Sequence, residues 1–280
     1  MTNPGRDRLA SRLASALGQG AASWAYCGIG SVPGPTSEKP RLLCRPESPE
    51  QLAVALRLCI ESGAAIVPRG GGTAMSIGNA PRSVDVFIDT TRLDKLVEHD
   101  PANLTASVQS GTPLDALLAA LAPQRQFAPL DVPFAQRSTL GGAVAANLNG
   151  PRRSCYGSVR DLVIGMKIAL AGGETVKAGG KVVKNVAGYD MCKLFVGSLG
   201  TLGIITEVTL RLAPIAERAA VAIASGTLAQ AERLCEELSR SCLLPAALTL
   251  ANDGASGSWQ LALWCEGFEE SVERHVREAA

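Results

Sequence analysis

The stretch of sequence that decides the fold reads Pro68-Arg69-Gly70-Gly71-Gly72-Thr73-Ala74-Met75-Ser76-Ile77-Gly78. A short strand, Ala65 to Pro68, is predicted immediately before it. The three consecutive glycines can adopt positive φ and present successive backbone N–H groups on one side of a loop. A concave row of such amides binds the oxygen atoms of a pyrophosphate, and Thr73 and Ser76 can add hydroxyl donors. A tight loop without a ligand is the competing interpretation, and the glycine triplet alone does not separate the two.

Other phosphate-binding motifs fit this chain less well. A Walker loop requires G-x-x-x-x-G-K-[ST], but Gly180-Lys181-Val182 lacks the final hydroxyl residue, and Thr175 stands where the first glycine would be. The glycines between Gly28 and Gly34 do not have the spacing G-x-G-x-x-G, and no clear strand precedes them. A nicotinamide-type Rossmann site is therefore not expected.

A second glycine-rich segment runs from Pro133 to Asn147 and contains Ser138-Thr139-Leu140-Gly141-Gly142. Ser138 or Thr139 can cap the N-terminus of a helix, and the dipole of that helix favours an anion there. The two glycines would let another part of the backbone come close. A small-residue helix packed in the core is the alternative. Two separate glycine-rich anion sites are more consistent with a dinucleotide ligand than with a chance occurrence.

Composition and charge exclude several classes of function. Apolar residues make up 46% of the 280 residues, charged residues 19%, and the net charge is +1, so nucleic acid or an anionic membrane is not an expected partner. The sequence shows neither an apolar run long enough to span a bilayer nor a secretory leader, which predicts a cytoplasmic protein, associated with a membrane only through partners. The eight cysteines form no C-x-x-C and there are only two histidines. No metal site is predicted, and the chemistry is expected to come from a cofactor.

The order of predicted elements indicates an α+β fold in three parts. Residues 1–40 are an N-terminal extension, of which residues 1 to 20 form a short helix or a mobile tail. Residues 41–214 form the main domain, with two α+β subdomains. Residues 215–280 follow the order β-α-β-β-α, which is typical of the start of a ferredoxin-like sandwich, so they are predicted to be a partial or short cap domain.

Local signals place individual elements within this frame. Ser48-Pro49-Glu50 combines a helix N-cap, a proline at the first helical position and an acidic first turn. Ala171-Gly172-Gly173 separates two strand-like runs and predicts a hairpin. Val186 to Val196 has the spacing of a short amphipathic helix.

Several motifs together resemble the FAD-binding superfamily of vanillyl-alcohol oxidase and D-lactate dehydrogenase over roughly residues 40–215. The segments that carry this resemblance are residues 68–78, Thr139-Leu140-Gly141-Gly142 and Gly200-Thr201-Leu202-Gly203-Ile204-Ile205-Thr206-Glu207. Within the superfamily, Gly150 to Arg153, Gly157 to Asp161 and Lys184 to Asp190 resemble the FAD-binding subunits of glycolate oxidases. The resemblance implies the two-subdomain FAD-binding fold of the vanillyl-alcohol oxidase type, followed here by the partial ferredoxin-like cap.

The resemblance also implies which residues bind FAD. Arg69 to Ser76 would wrap the pyrophosphate, largely through backbone amides, and Ile205 would contact the cofactor from the last strand of the domain. The implied cofactor-binding residues are Pro68, Arg69, Gly70, Gly71, Gly72, Thr73, Ala74, Ser76, Thr139, Gly141, Gly142, Ala145, Asn147, Gly157, Asp161 and Ile205. Some family members tether the flavin through a histidine of the pyrophosphate loop. Residues 68–78 contain no histidine, which predicts non-covalent FAD, although Cys155 is a conceivable tether.

For function, the resemblance implies oxidation of a 2-hydroxy acid such as glycolate or D-lactate to the 2-oxo acid, with electrons passed to an external carrier. The implied partners are a catalytic flavoprotein subunit and an iron–sulfur subunit. Two alternatives stay open: a non-catalytic flavin-binding or assembly subunit of a glycolate oxidase complex, and an NADPH-dependent flavin reductase of the same fold. No catalytic residue is assigned.

A 2-hydroxy acid site requires a cation for the carboxylate and a base for the hydroxyl proton. Candidate cations are Arg152, Arg153, Lys181 and Lys184. For the two arginines, a place on a solvated loop or beside a flavin phosphate is the alternative.

Overall fold

A computed structural model describes residues 4–18, 20–25, 41–180, 189–252, 254 and 257–279. The candidate cations Lys181 and Lys184 and the glycines between Gly28 and Gly34 lie outside these described residues. Of the helix predicted for Val186 to Val196, residues 186–188 also lie outside, and the described part is helical only at Cys192–Phe195.

The first lobe is a four-stranded sheet covered by two helices. Its elements are α1 (Pro4–Leu17), β1 (Ala22–Ala25), β2 (Arg41–Cys44), α2 (Pro49–Glu61), β3 (Ile66–Arg69) and β4 (Val86–Asp89). The strand order is β1-β2-β4-β3, with β1 antiparallel to β2 and the other pairs parallel. The hydroxyl of Ser48 accepts a hydrogen bond from the N–H of Gln51, which confirms the predicted N-cap of α2. The N-terminal segment is a helix rather than a tail, since Leu9, Leu13 and Leu17 are buried in the core beneath α2.

The second lobe is a five-stranded antiparallel sheet with short helices on one face. Its elements are β5 (Leu96–Asp100), β6 (Thr105–Gln109), α3 (Leu114–Leu121), β7 (Gln126–Phe127), α4 (Leu140–Ala145), α5 (Arg153–Tyr156), α6 (Val159–Leu162), β8 (Val163–Ala169), β9 (Thr175–Gly179), α7 (Cys192–Phe195), β10 (Ile204–Arg211) and β11 (Ala213–Pro214). The strand order is β5-β6-β10-β8-β9, and β7 pairs separately with β11. The predicted hairpin at Ala171 to Gly173 is confirmed, because β8 and β9 pair antiparallel on either side of it.

The two lobes meet along a seam. On the side of the first lobe, the N–H of Thr90, just after β4, donates to the carbonyl of Arg69 at 2.9 Å. On the side of the second lobe, the carbonyl of Ser110, just after β6, accepts from the N–H of Gly141 at the start of α4 at 2.7 Å. Ala169 and Ile204 belong to the second sheet but are buried in the core of the first lobe. The glycine-rich loop that follows β3 and the glycines of α4 therefore lie at the same seam.

The C-terminal layer (residues 218–279) consists of β12 (Arg218–Gly226), α8 (Leu228–Arg240), β13 (Ala247–Asn252), β14 (Trp259–Gly267) and α9 (Glu269–Ala279). Its strands pair antiparallel in the order β12-β14-β13, so β12 and β13 run parallel on either side of β14. This is the split β-α-β arrangement of a ferredoxin-like sandwich, as the element order predicted. Leu263, Cys265 and Val272 form its core. The fold class is α+β.

Burial makes several thiols poor nucleophiles, which can be tested directly. Burial, with a smaller contribution from Cys59, raises the pKa of Cys44 to about 12, and burial raises the pKa of Cys59 to about 11. In the native protein at pH 8, we expect iodoacetamide to alkylate the exposed Cys242 and to leave Cys44 unmodified. Because these pKa values are raised above those of the unfolded chain, the neutral thiols stabilise the fold up to about pH 9, and that stability is lost as the pH rises toward 11–12.

Peptide mapping by mass spectrometry measures the labelling, and urea denaturation at pH 8 and pH 10.5 measures the loss of stability. Labelling in denaturant, where Cys44 must react, is the control. Equal native labelling rates for Cys44 and Cys242 would contradict the burial of Cys44.

Candidate cofactor-binding site

A cavity of about 680 Å³, counting the part open to solvent, lies at the seam between the two lobes. Its lining comes from the loop Pro68 to Met75, from Thr139, Gly141, Gly142, Ala145 and Ala146 around α4, from Leu199, Gly200, Gly203, Ile204 and Ile205 near the start of β10, and from Thr90 and Ser110. The segments that share the cavity are therefore far apart in the chain.

The glycine loop after β3 lies directly against the loop that precedes α4. A Cβ on Gly71 would overlap the carbonyl oxygen of Arg137 and lie 2.6 Å from its carbonyl carbon, and a Cβ on Gly70 would overlap the hydroxyl of Thr139. Glycine is required at Gly71 because the two backbones approach so closely, and at Gly70 because the side chain of Thr139 fills the space of a Cβ. The hydroxyls of Thr73 and Ser138 are 2.9 Å apart and join the same two loops.

The glycine loop offers unpaired hydrogen-bond donors. Within the described part of the chain, the backbone N–H groups of Gly70, Gly71 and Gly72 donate to no protein acceptor. Buried or half-buried N–H groups cost free energy unless they find an acceptor, so this row is suited to the oxygen atoms of a ligand. Gly72 has φ of +75°, a backbone conformation that favours glycine.

Two buried side-chain groups that line the cavity also have no partner. Arg69 Nε and Ser110 Oγ are buried, and neither makes a hydrogen bond. The guanidinium of Arg69 folds over its own loop, where a Cβ on Gly72 would lie 3.3 Å from Nε. A cation beside three free amides favours an anion. The hydroxyl of Ser110 can form a hydrogen bond with a hydroxyl or a ring nitrogen of a ligand. These residues fit the diphosphate and the nucleoside groups of a dinucleotide such as FAD.

The first turn of α4 completes this wall of the cavity. Thr139 is its N-cap, and the Thr139 hydroxyl accepts a hydrogen bond from the N–H of Gly142 at 3.3 Å. Ser138, the other predicted cap, instead donates from its hydroxyl to the carbonyl of Pro133 at 2.7 Å. A Cβ on Gly141 would lie 2.5 Å from the Cβ of Ser110, so the helix can approach β6 only with glycine there.

The structure brings most of the predicted cofactor-binding residues together. Those that line the cavity are Pro68, Arg69, Gly70, Gly71, Gly72, Thr73, Ala74, Thr139, Gly141, Gly142, Ala145 and Ile205. The lining also includes residues that were not among the implied cofactor-binding residues: Met75, Thr90, Ser110, Ala146, Leu199, Gly200, Gly203 and Ile204. No local sequence signal marks Thr90 or Ser110, because each lines the cavity only where the two lobes meet.

Four predicted residues lie outside this lining, and a contact between them and the cofactor stays a prediction. Ser76 is exposed at the end of the glycine loop. Asn147 has φ of +49°, and its side chain accepts a hydrogen bond from Asn149. Gly157 ends α5, and Asp161 accepts from both the N–H and the hydroxyl of Ser158. Those two hydrogen bonds lower the pKa of Asp161, so its carboxylate already caps α6.

Among the candidate cations, Arg152 is already paired. Its guanidinium lies 2.6 Å from Asp131 and 3.4 Å from Glu266, and only 17% of its side chain is exposed. For Arg152, these contacts support neither the predicted substrate clamp nor the alternative of a solvated loop. Arg153, in contrast, is exposed.

Two features are absent from the described residues. None of their helices is long and apolar enough to cross a membrane. Nor do they contain a group of three or more histidine, cysteine or acidic side chains that could hold a metal ion.

Comparison with known proteins agrees with the geometry of the cavity. A solved alkyldihydroxyacetonephosphate synthase superimposes with a TM-score of 0.75 over 87% of this chain and 50% of that one, at 21% identity, which shows a shared fold. Glycolate oxidase subunit GlcD of Bacillus subtilis is 38% identical over 62% of this chain and 37% of its own length. Glycolate oxidase subunit GlcE of Escherichia coli is 37% identical over 62% of this chain and 52% of its own length, and a D-lactate dehydrogenase of Archaeoglobus fulgidus is 34% identical over 74% and 46%.

The chain thus spans about half or less of these relatives. The family model described as FAD binding domain matches residues 40–179, which is half of the chain. That segment contains the glycine loop and α4, and the match shows that FAD is the cofactor of this chain. The chain belongs to the FAD binding domain family.

Proposed function

We propose that this chain is the FAD-binding part of an oxidoreductase that converts a small 2-hydroxy acid, glycolate or D-lactate, to the 2-oxo acid. The observation that carries the proposal is the cavity itself, where free amides of one lobe face the N-terminus of α4 from the other. The names of the similar proteins, glycolate oxidase subunits and D-lactate dehydrogenases, support this substrate class. Bound FAD would supply the acceptor for the hydride of the hydroxy acid.

The residues of the cavity have separate roles in this proposal. The N–H groups of Gly70 to Gly72 hold the diphosphate, and Arg69 balances its charge. Thr139 fixes the first turn of α4, and Ser110 donates to the nucleoside part. The binding is non-covalent. The outer contacts of the proposed site are Ser76, Asn147, Gly157 and Asp161. The proposed domains of the chain are residues 1–40, 41–214 and 215–280.

The chain is proposed to be one subunit of a multi-subunit complex. Electrons pass from this chain to a catalytic flavoprotein subunit or an iron–sulfur subunit, in the cytoplasm or at the inner face of the membrane through those partners. The subunit names of two similar proteins support membership in a complex.

A second candidate is a flavin-binding or assembly subunit without its own substrate site. The pairing of Arg152 favours it, because that guanidinium is not free to bind a substrate carboxylate. An NADPH-dependent flavin reductase of the same fold is the third.

One preparation separates these candidates. The purified chain is expected to show a flavin absorbance spectrum, and acid precipitation is expected to release all of the flavin into the supernatant. Anaerobic addition of glycolate or D-lactate should then bleach the visible flavin band within minutes. Bleaching by NADPH alone would indicate the reductase. Bound FAD that none of these compounds bleaches would contradict catalysis by this chain and support the assembly role.

A further inference from the structure

One arginine lies at the contact between the second lobe and the C-terminal layer, where the hydroxyl of Ser154 also donates to the carbonyl of Ala246 at 3.2 Å. Arg152 lies at the start of α5, and Asp131 holds it from within the same lobe. The carboxylate of Asp131 accepts from Arg152 Nε at 2.7 Å, from Nη2 at 2.6 Å and from the backbone N–H at 2.9 Å. These three contacts fix the direction of the guanidinium, so that its remaining edge faces the layer.

That remaining edge meets Glu266 of β14, which belongs to the C-terminal layer. Arg152 Nη1 lies 3.4 Å from Glu266 Oε1, and the hydroxyl of Tyr156 donates to Oε2 at 2.7 Å. Both oxygens of Glu266 are therefore bound by groups of the second lobe. Only 8% of the Glu266 side chain and 17% of the Arg152 side chain are exposed, so solvent screens this pair weakly.

Aromatic rings from the second lobe and from the C-terminal layer pack against the guanidinium. The Cζ atom of Arg152 lies 5.1 Å from the ring centroid of Phe127 in β7 and 5.4 Å from that of Trp264 in β14. The rings of Phe127 and Tyr156 meet edge to face at 5.4 Å. A planar guanidinium can stack and donate along its edges at once, whereas a lysine ammonium cannot do both.

We propose that Arg152 is a positioning residue that latches the C-terminal layer onto the second lobe. Glu266 brings a buried charge to the contact, and Arg152 is the cation that neutralises it. Removing the guanidinium leaves that carboxylate buried without a counter-ion, which favours separation of the layer. The inference does not depend on the proposed function, since it concerns the attachment of residues 218–279 and not the substrate.

Hydrogen–deuterium exchange of the whole chain, followed by mass spectrometry, tests this latch. In Arg152→Gln and in Glu266→Gln, peptides from residues 213–226 and 244–267 are expected to exchange about tenfold faster or more than in the unchanged protein. Peptides from residues 41–72 in the first lobe should keep their rates, and FAD should bind with unchanged affinity. Because Arg152 and Glu266 act through one another, the double variant should exchange no faster than the faster single variant.

The matched control is Glu237→Gln, which removes an exposed arginine–glutamate pair within α8 of the same layer. Tyr156→Phe keeps the ring and removes one hydrogen bond to Glu266, so it gives a second reading if Arg152→Gln does not fold. Arg152→Lys should not restore the slow exchange, since it lacks the planar fork. The latch is refuted if Glu266→Gln and Tyr156→Phe exchange like the Glu237→Gln control, or if the effects of Arg152→Gln and Glu266→Gln simply multiply.

Discussion

Replacing Gly71 with alanine is expected to weaken FAD binding at least about a hundredfold, which corresponds to about 3 kcal/mol. The new Cβ would overlap the backbone carbonyl of Arg137, and neither backbone can move aside as a flexible side chain would. The two loops must separate, so the free amides of Gly70 to Gly72 would no longer face the N-terminus of α4. Titration of the apoprotein with FAD, followed by flavin fluorescence, measures the loss.

Gly180→Ala is the matched control, because no atom of the described residues lies within 4 Å of a Cβ at that position. It should bind FAD like the unchanged chain. Circular dichroism of Gly71→Ala should still show the folded protein, so that a loss of affinity reports the site and not unfolding. Normal FAD affinity in Gly71→Ala would show that the close approach of these loops is not needed for the cofactor.

The second large effect is expected for Arg69→Gln. Hydrogen bonds to charged groups contribute about 1.5–3 kcal/mol, so losing the guanidinium beside the diphosphate should weaken FAD roughly 10- to 150-fold. Riboflavin, which has no phosphate, should bind both proteins equally weakly. Titrations at low and high salt measure the charge effect, which should be smaller in the variant.

Arg69→Lys should recover part of the affinity, since the charge returns without the fixed fork. Arg233→Gln provides the control for the loss of an arginine, because that side chain is 83% exposed on α8. Equal FAD affinity in Arg69→Gln and Arg233→Gln would mean that the buried Arg69 Nε faces something other than the diphosphate.

The glycine loops were predictable from the sequence because their signals are local. Gly71 and Gly142 follow short segments with clear strand or helix-cap character, and the position of each loop depends on a few neighbours. The helix start at Ser48 and the hairpin at Ala171 to Gly173 were found for the same reason. A cap or a tight turn is set by residues adjacent in the chain, so little tertiary information is needed.

The parts that could not be predicted depend on contacts between distant residues. Strand β5, Leu96–Asp100, is mostly exposed and lacks the alternation of a half-buried strand; it forms because β6 offers a partner. Thr90 and Ser110 line the cavity only because the two lobes meet there. Arg152 looked like a substrate cation in the sequence, and only the fold shows Asp131 and Glu266 beside it.

The most direct test of the central claim is a nuclear magnetic resonance titration of protein labelled with ¹⁵N at its 29 glycines. Binding of the diphosphate by these amides predicts that FAD shifts the amide resonances of Gly70, Gly71, Gly72 and Gly142, and that ADP, which carries the same diphosphate, shifts the same four. FAD that binds and leaves all four resonances in place would contradict it.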